Sequence, residues 1–243
     1  METADNNYEL KNLLLAYPAD WFVEDKTLKF VKKTLPNISN FYKNEGKENM
    51  ALSKKTIIQE PLKEVYTVPL FSKTFCELLL NELKSMQEFG SFKPNDSEDE
   101  LRQIPEIIIS EYSQQLNNSL LHIVDTILNP IFINIWNRHV TAGNIQIANY
   151  NIKEKVKGAW HHDASADISV VVPLNTGEYI GGGTEFFNRG IIEPLPSGNA
   201  LIFPSFTHMH RGLPVEAGDR YLLVFWLVCE EATKSNRNYM KNQ

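Results

Sequence analysis

Two histidine clusters and an arginine follow one another in a fixed order in the C-terminal half of the chain. His161-His162-Asp163 comes first, His208-Met209-His210 comes second, and Arg220 lies ten residues after the last histidine. Each of these positions adjoins an apolar, β-branched run that is typical of a strand, at 164–174, 200–206 and 221–228. Metal-binding side chains at the ends of strands, far apart in the sequence, indicate a small β-barrel whose mouth holds a site.

The first cluster supplies two candidate metal ligands. Successive side chains of a strand point to opposite faces, so His161 and Asp163 share one face while His162 points away. Two imidazoles and one carboxylate on one face of an iron ion leave three coordination positions open. Those positions suit a bidentate co-substrate and O2, so the pattern predicts a mononuclear Fe(II) site.

The second cluster leaves a choice between two histidines. His208 and His210 fall on the same face of an extended chain, so alternation does not separate them. The ten-residue gap to Arg220 favours His210, because a strand that pairs back across the turn 211–214 would bring the arginine to the site. His208 is the alternative ligand.

Three further side chains are candidates for holding the co-substrate. Arg220 offers a planar fork of donors, so we expect it to bind the remote carboxylate of a five-carbon keto diacid. Tyr150 could also reach the co-substrate, and its alternative is an ordinary half-buried aromatic side chain. Alternation places Ser165, Asp167 and Ser169 on the cavity side. Ser169 could donate to the co-substrate carboxylate, although an inward serine is more often satisfied by backbone groups.

The chain divides into a helical, Lys-rich N-terminal extension and a larger domain. The extension is predicted for residues 1–60 and the domain for 61–243, with the polar stretch 44–49 as the best linker candidate. Within the domain, apolar spacing predicts helices over 72–89, with Ser72 as the N-cap, and over 114–135. From residue 144 onward the pattern alternates as in strands.

Two turn signals complete the predicted architecture. The stretch 195–199 predicts a hairpin between strands at 191–192 and 200–203. Gly181-Gly182-Gly183 precedes a strand and not a helix, so we expect it to let the backbone pass close to a cavity and not to bind phosphate. The predicted class is α+β, with a double-stranded β-helix (jelly-roll, cupin-like) core and flanking N-terminal helices.

Composition narrows the range of partners. The chain has 243 residues and a formal net charge of −6, which makes nucleic acid an unexpected partner because phosphate binding depends on Lys and Arg. The acidic start is unlike a leader peptide, and no apolar run is expected to approach transmembrane length. We therefore expect a cytoplasmic protein without membrane contact. Cys76 and Cys229 are expected to be free thiols.

The residues around the two clusters resemble those of a known family. The likeness is carried by His161-His162-Asp163-Ala164-Ser165, by Gly181-Gly182-Gly183-Thr184-Glu185-Phe186, and by the run from His208 through Pro214 to Gly218-Asp219-Arg220-Tyr221. Over residues 145–228, and more faintly from Val65, the chain is similar to the C-terminal hydroxylase domain of the procollagen lysyl hydroxylases. That domain is one of the Fe(II)/2-oxoglutarate oxygenases.

The resemblance implies cofactors, residue roles and a reaction. In that family the residues that match His161, Asp163 and His210 hold iron, and those that match Arg220 and Tyr150 hold 2-oxoglutarate. A dioxygenase that uses Fe(II), 2-oxoglutarate and O2 is implied, with ascorbate as an optional accessory reductant. Its expected reaction is hydroxylation of a C–H bond on a protein or peptide side chain of the lysyl or prolyl type, with succinate and CO2 as co-products.

Three other functions stay open on the sequence alone. An oxygenase of the same fold could act on a free amino acid, a small metabolite or a nucleobase. A cupin-like metal hydrolase or isomerase could use the same ligands without O2 or 2-oxoglutarate. A domain that only binds a partner could keep the fold without iron, although the intact ligand set argues against this. The sequence carries no indication of the oligomeric state.

Overall fold

Antiparallel strands form the centre of the molecule, and helices cover one side of it. The structure, a computed structural model, describes residues 22–34, 57–88, 92–94, 104–153 and 157–229. The helices in these ranges are α1 (Asp25–Thr34), α2 (Lys73–Glu88), α3 (Ile109–Tyr112), α4 (Gln114–Ile123) and α5 (Asn129–Trp136), with a π-helical turn at Val124–Leu128 between α4 and α5.

The strands of the described residues form three sheets. In chain order they are β1 (Gln59–Leu62), β2 (Val65–Pro69), β3 (Lys93–Pro94), β4 (Pro105–Ile108), β5 (Val140–Asn151), β6 (Ile168–Pro173), β7 (Ile180–Gly181), β8 (Thr184–Phe186), β9 (Gly190–Ile192), β10 (Asn199–Pro204), β11 (His210–Gly212), β12 (Val215–Ala217) and β13 (Asp219–Cys229). The large sheet has the order β1-β2-β10-β6-β13-β5-β4-β3, the second is β11-β8-β9, and the third pairs β12 with β7.

The two small sheets pack against one face of the large sheet. Phe186 of β8 contacts Phe203 of β10 edge to face, with ring centroids 5.0 Å apart. Val215 of β12 lies in one buried cluster with Tyr150 of β5 and Leu222 of β13. Antiparallel sheets that face each other across a shared interior form a double-stranded β-helix. The α+β class and the jelly-roll core predicted from the sequence are therefore confirmed.

Alternation along β13 separates the helix-covered core from the interior of the barrel. Leu223 and Phe225 join the large core that also contains buried residues of α2, α4 and α5. Leu222 and Val224 point to the other face and belong to the barrel-side cluster. Arg220 lies two residues before Leu222, so the same period of two directs it into the barrel.

Serine caps explain where two helices begin. The Ser72 hydroxyl oxygen accepts a hydrogen bond from the backbone N–H of Phe75 at 3.2 Å, which confirms the predicted N-cap of α2. Ser113 accepts in the same way from the N–H of Leu116 ahead of α4. The second predicted helix begins where expected but is interrupted by the π-helical turn, just before Pro130, which has no N–H to continue the ladder.

One helical stretch is long and apolar enough to cross a membrane by length and composition alone. It is Gln114–Trp136, the one such stretch in the part of the chain that the structure describes, and 44% of its most apolar window is buried. Leu120 and Phe132 of this stretch lie fully buried in the large core. The expectation that no apolar run approaches transmembrane length was therefore wrong, because a core helix reaches the same apolar length. The cytoplasmic location stays a prediction.

Two predictions of strand pairing are also wrong. β9 and β10 do not form a hairpin, because β9 pairs with β8 while β10 pairs with β2 and β6. Pro194 and Pro196 have no N–H to donate to a ladder, and the chain crosses between sheets there. β13 pairs with β5 and β6, and not with the strand β11 that begins at His210.

Part of the predicted N-terminal extension packs directly on the domain. Val23 forms a β-bridge with Phe71, and the hydroxyl of Thr27 in α1 donates to the carbonyl of Pro69. β1 runs across residue 60, where the domain boundary was placed. The division at residue 60 stays a prediction, and the linker candidate 44–49 lies outside the described residues.

Gly198→Ala is expected to destabilise the fold more than Gly177→Ala. Both glycines have positive φ, +83° and +99°, so each alanine carries a backbone cost of about 1–2 kcal/mol. A Cβ at position 198 would also collide with the carbonyl oxygen of Phe71, whereas nothing lies within 4 Å of one at position 177. We expect a further loss of about 1–3 kcal/mol at Gly198. Urea unfolding of the two variants measures the difference, and equal losses would contradict the expectation.

Candidate active site

Three of the predicted ligands come together in space. His161 Nε2 lies 3.3 Å from Asp163 Oδ1, and His210 Nε2 lies 3.8 Å from Asp163 Oδ2. One potential ligand atom from each of the three residues falls within 4.8 Å of the others. The two imidazole rings have centroids 4.3 Å apart. This group could hold one metal ion and leave part of its coordination sphere to other ligands.

A backbone bridge brings the two histidines together. The N–H of His161 donates to the carbonyl of His210 at 3.0 Å, and the N–H of His210 donates back at 2.9 Å. Asp163 follows two residues later, just before a turn at 164–165, and β6 begins only at Ile168. The strand predicted from residue 164 therefore starts later, and the first cluster lies in a bridge and turn that precede it.

Backbone carbonyls fix the tautomer of both rings. His161 Nδ1 lies 2.8 Å from the carbonyl oxygen of Ala159, and His210 Nδ1 lies 2.9 Å from that of His208. A carbonyl can only accept, so each Nδ1 carries the proton and each Nε2 keeps its lone pair. Both Nε2 atoms are the ones that face Asp163. The rings thus present the nitrogen that a metal needs.

The protonation states of the ligands also suit a cation. Burial lowers the pKa of His210 to about 4 and outweighs the attraction of Asp163, so this ring is neutral near pH 7. Burial alone would raise the pKa of Asp163. The nearby His161 and His210 rings and the hydrogen bond from Ser169 together hold that pKa below its ordinary value. Neutral imidazole and ionised carboxylate are the forms that bind a divalent metal.

His208 lies outside the ligand group. Its ring is fully buried, with Nδ1 3.0 Å from the Thr207 hydroxyl and Nε2 3.3 Å from the carbonyl oxygen of Lys63. It thereby connects the turn between β1 and β2 to the segment that leads into β11. The geometry favours His210 as the ligand, although the strand pairing that suggested it was wrong.

A buried arginine with two unpaired nitrogens, as far as the described residues show, lies in the barrel beside Tyr150. Arg220 is 4% exposed, and its Nε and Nη1 find no hydrogen-bond partner among the described residues. Its guanidinium carbon lies 5.7 Å from the ring centroid of Tyr150, its neighbour across the β13–β5 ladder. An unpaired buried charge costs several kcal/mol. The arrangement therefore fits an anionic ligand that completes the donors of Arg220.

Tyr150 lies within the electrostatic reach of both Arg220 and Asp163. Burial raises the pKa of Tyr150 to about 12, with Arg220 lowering it and Asp163 raising it by smaller amounts. The phenol therefore keeps its proton and can donate a hydrogen bond. The ring packs so closely on Gly212 that a Cβ there would lie 3.3 Å from it. Tyr150 thus lies near both the arginine and a candidate metal ligand.

Sequence reasoning missed Tyr179, a second phenol beside Arg220. Its hydroxyl is buried and has no hydrogen-bond partner among the described residues. A Cβ at Gly182 would lie 3.0 Å from the Tyr179 ring and 3.2 Å from Arg220 Cδ, so the middle glycine of the triplet packs directly on both side chains. The only available signal was that Tyr179 shortly precedes this glycine triplet.

A small cavity beside Arg220 has apolar walls and a polar end. It is lined by side chains of both faces of the barrel, including Val171, Leu201, Leu222, Thr184 and Arg220. Apolar walls with a few convergent polar groups are typical of a small-molecule site. The volume of the cavity is about 10 Å³, enough for about one water molecule, so a five-carbon diacid would require these side chains to move apart.

The three residues predicted for the cavity side of the first strand occupy different surroundings. Ser165 is exposed in the turn. Asp167 Oδ2 accepts from the backbone N–H of Cys229 at 2.7 Å. Ser169 is fully buried and donates to Asp163 Oδ2 at 2.5 Å. Its single proton is thus directed at a metal ligand, which replaces the predicted bond to the co-substrate carboxylate.

Sequence comparison connects the chain to collagen-modifying enzymes, although no protein-family model matches it. The multifunctional procollagen lysine hydroxylase and glycosyltransferase of Caenorhabditis elegans is 28% identical over 184 residues, which cover 70% of this chain and 25% of that protein. Procollagen-lysine,2-oxoglutarate 5-dioxygenase 2 of Homo sapiens is 28% identical over 182 residues, with 71% and 25% covered. This chain is similar in sequence to the procollagen lysyl hydroxylases. It spans about a quarter of the length of these curated relatives.

Solved structures show the same barrel. A prolyl hydroxylase from Trichoplax adhaerens, in complex with a peptide of hypoxia inducible factor, has a TM-score of 0.60 at 15% identity, covering 87% of this chain and 96% of that one. A 2OG-Fe(II) oxygenase family oxidoreductase from Burkholderia pseudomallei has a TM-score of 0.51 at 16% identity, with 68% and 85% covered. At such identities the likeness establishes the fold, and the fold is that of the Fe(II)/2-oxoglutarate oxygenases.

The side chains present fit the two groups that this fold family uses. Two imidazole Nε2 atoms and one ionised carboxylate suit Fe(II). The unpaired nitrogens of Arg220 and the unpaired hydroxyl of Tyr179 suit the remote carboxylate of 2-oxoglutarate.

His210→Ala and His208→Ala are expected to separate metal binding from stability. His210→Ala removes a ligand and should abolish binding of Fe(II) or Mn(II) to the apo-protein. His208→Ala should leave metal binding within a few-fold and lower the stability by about 1–3 kcal/mol, since the buried ring and one of the two hydrogen bonds to the Lys63 carbonyl are lost. Metal titration and urea unfolding of both variants provide the measurement. Loss of metal binding in His208→Ala alone would reverse the assignment.

Proposed function

We propose that the protein is an Fe(II)- and 2-oxoglutarate-dependent dioxygenase that hydroxylates a C–H bond on a protein or peptide side chain. A single observation carries the proposal. The ligand Asp163 and the buried guanidinium of Arg220, whose Nε and Nη1 have no partner among the described residues, both lie near the ring of Tyr150. The ligand group alone would suit several kinds of metal enzyme. The neighbouring anion-binding donors favour an oxygenase that takes a diacid co-substrate.

Each residue has a separate role in this proposal. Nε2 of His161, Nε2 of His210 and the Asp163 carboxylate would hold the iron, and the backbone bridge between the histidines keeps them in place. With Fe(II) and 2-oxoglutarate bound, the site supplies oxidative decarboxylation that places one oxygen atom of O2 in succinate and the other on the substrate.

The remaining contacts bind and orient the co-substrate. Arg220 would pair with its remote carboxylate, and a buried site would strengthen that pairing because little water competes. Tyr150 keeps its proton and could donate a hydrogen bond to the co-substrate. The apolar side chains of Val171, Leu201 and Leu222 beside Arg220 would limit the access of water to this pairing.

The proposed substrate class rests on the relatives and on one surface of this chain. The relatives are named as procollagen lysine hydroxylases, and the Trichoplax enzyme is seen with a bound peptide. Next to the ligand His161, the half-buried Trp160 meets the ring of Phe187 edge to face at 5.4 Å, and Phe187 is 52% exposed. An accessible aromatic pair beside a site suits a peptide, whose apolar side chains can pack on it.

Arg220→Ala is expected to weaken 2-oxoglutarate binding about 10- to 100-fold, the loss that follows removal of a charge-assisted hydrogen-bonded pair. Iron binding should stay unchanged, because Arg220 is not a ligand. An anaerobic titration of the apo-protein with Fe(II) and then 2-oxoglutarate measures both, through the visible absorption band of the chelate. Arg220→Lys is the matched control and should bind with intermediate affinity, since lysine keeps the charge without the planar fork. Wild-type affinity in Arg220→Ala would contradict the assignment.

Turnover should require a peptide and an intact ligand group. We expect the iron-loaded protein to add one oxygen atom to a lysyl or prolyl peptide, detected by mass spectrometry, with stoichiometric succinate. Asp163→Ala is the inactive control and should form neither product. Oxidation of free amino acids or nucleobases, with all peptides unchanged, would support the oxygenase activity but contradict the proposed substrate class. Metal-dependent activity without 2-oxoglutarate would reject the oxygenase.

A further inference from the structure

Two buried serines form a hydrogen-bonded chain that ends on a metal ligand. Ser169 Oγ lies 2.5 Å from Asp163 Oδ2, and Ser205 Oγ lies 2.7 Å from Ser169 Oγ. Ser169 belongs to β6, and Ser205 follows directly after β10, two residues past the Phe203 that pairs with Ser169. Both serines are completely buried. The chain therefore crosses between neighbouring strands inside the barrel.

The protons in this chain can be assigned from the chemistry of the end group. An ionised carboxylate can only accept, and a serine hydroxyl has one proton. Ser169 therefore donates to Asp163, which leaves Ser205 as the donor to Ser169. Hydrogen bonds that run in one direction toward a charge polarise one another, so Ser205 strengthens the bond that Ser169 makes.

The backbone holds the outer member of the chain. The N–H of Ser205 donates to the carbonyl of Asp167 at 3.0 Å, next to the β10–β6 ladder. Ser205 is thereby fixed relative to Ser169 by groups that do not include a metal ligand.

The apolar side chains around Ser169 argue that the two buried hydroxyls are not there by chance. The positions that flank Ser169 on this face of the large sheet hold apolar Val171 and Phe203. Buried hydroxyls at such positions are costly unless they are hydrogen-bonded. Two apolar side chains would satisfy packing equally well, so the pair needs a role that an apolar pair cannot supply. Directing a hydrogen bond at Asp163 is such a role.

We propose that Ser169 and Ser205 are positioning residues that make Asp163 a one-oxygen metal ligand. Oδ2 is engaged by Ser169, whereas Oδ1 faces His161 Nε2 at 3.3 Å and stays available to the metal. A carboxylate that binds through one oxygen leaves three positions for the co-substrate and O2, whereas two-oxygen binding would close one of them. This inference deepens the proposed function and rests on the metal site assigned there.

Ser169→Ala is expected to weaken binding of the metal alone about 10- to 100-fold, the usual effect of removing a group that orients a ligand. Ser205→Ala should weaken it less, because Ser169 still donates to Asp163. In the Ser169→Ala background, Ser205→Ala should add no further loss. Fe(II) and Mn(II) titrations of the apo-proteins give the dissociation constants without turnover. Ser165→Ala is the matched control, since it removes an exposed hydroxyl from the neighbouring turn.

Ser169→Thr distinguishes positioning from packing. Threonine keeps the hydroxyl, so metal affinity should return most of the way to the wild-type value if positioning is correct. Equal metal affinities in wild type, Ser169→Ala and Ser205→Ala would overturn the inference while leaving the metal site intact. Additive losses in the double variant would also overturn it, because the two serines would then act separately. Failure of the wild type to bind either metal would instead reject the proposed function. If Ser169→Ala does not fold, the test rests on Ser205→Ala alone. Wild-type metal affinity in Ser205→Ala would then overturn the inference.

Discussion

The site depends on the reciprocal backbone hydrogen bonds between His161 and His210. These two bonds join segments 49 residues apart in the chain and hold both imidazole rings on one side of the bridge. The same bridge aligns carbonyls of Ala159 and His208 with the ring Nδ1 atoms. One short backbone contact thus sets the position, the spacing and the tautomer of two ligands. The rest of the barrel keeps that contact from opening.

The β13–β5 ladder positions Arg220 as the backbone bridge positions the two histidines. Its register places Arg220 opposite Tyr150, and both side chains enter the barrel interior. Burying a guanidinium whose Nε and Nη1 have no hydrogen-bond partner among the described residues carries a desolvation cost that the core has to offset. An anion that paired with these two nitrogens would recover much of this cost. The unpaired hydroxyl of Tyr179 adds a third donor to this region.

Local pattern was enough to predict three candidate ligands that come together in space and the capped helix at Ser72. A helix cap and the face of a strand on which a side chain lies are set by residues close in the sequence, and alternation and turn residues report on that local context. Pairing between sheets depends on distant segments, which is why the hairpin across 195–199 and the pairing of β13 were predicted wrongly. The hydrogen bond between Ser169 and Asp163 was not predicted for a related reason, since the two residues meet across a turn and not along a strand.

His208 connects the metal centre to a part of the chain that contributes none of its ligands. Its buried ring contacts the Lys63 carbonyl, and Arg189 Nη1 reaches that carbonyl as well at 3.4 Å. The turn between β1 and β2 therefore anchors both the segment before His210 and the turn after β8. A shortened chain that began at β3 would keep each candidate ligand and still lack this anchor. The contacts that support the candidate ligands thus extend well upstream of the ligand residues themselves.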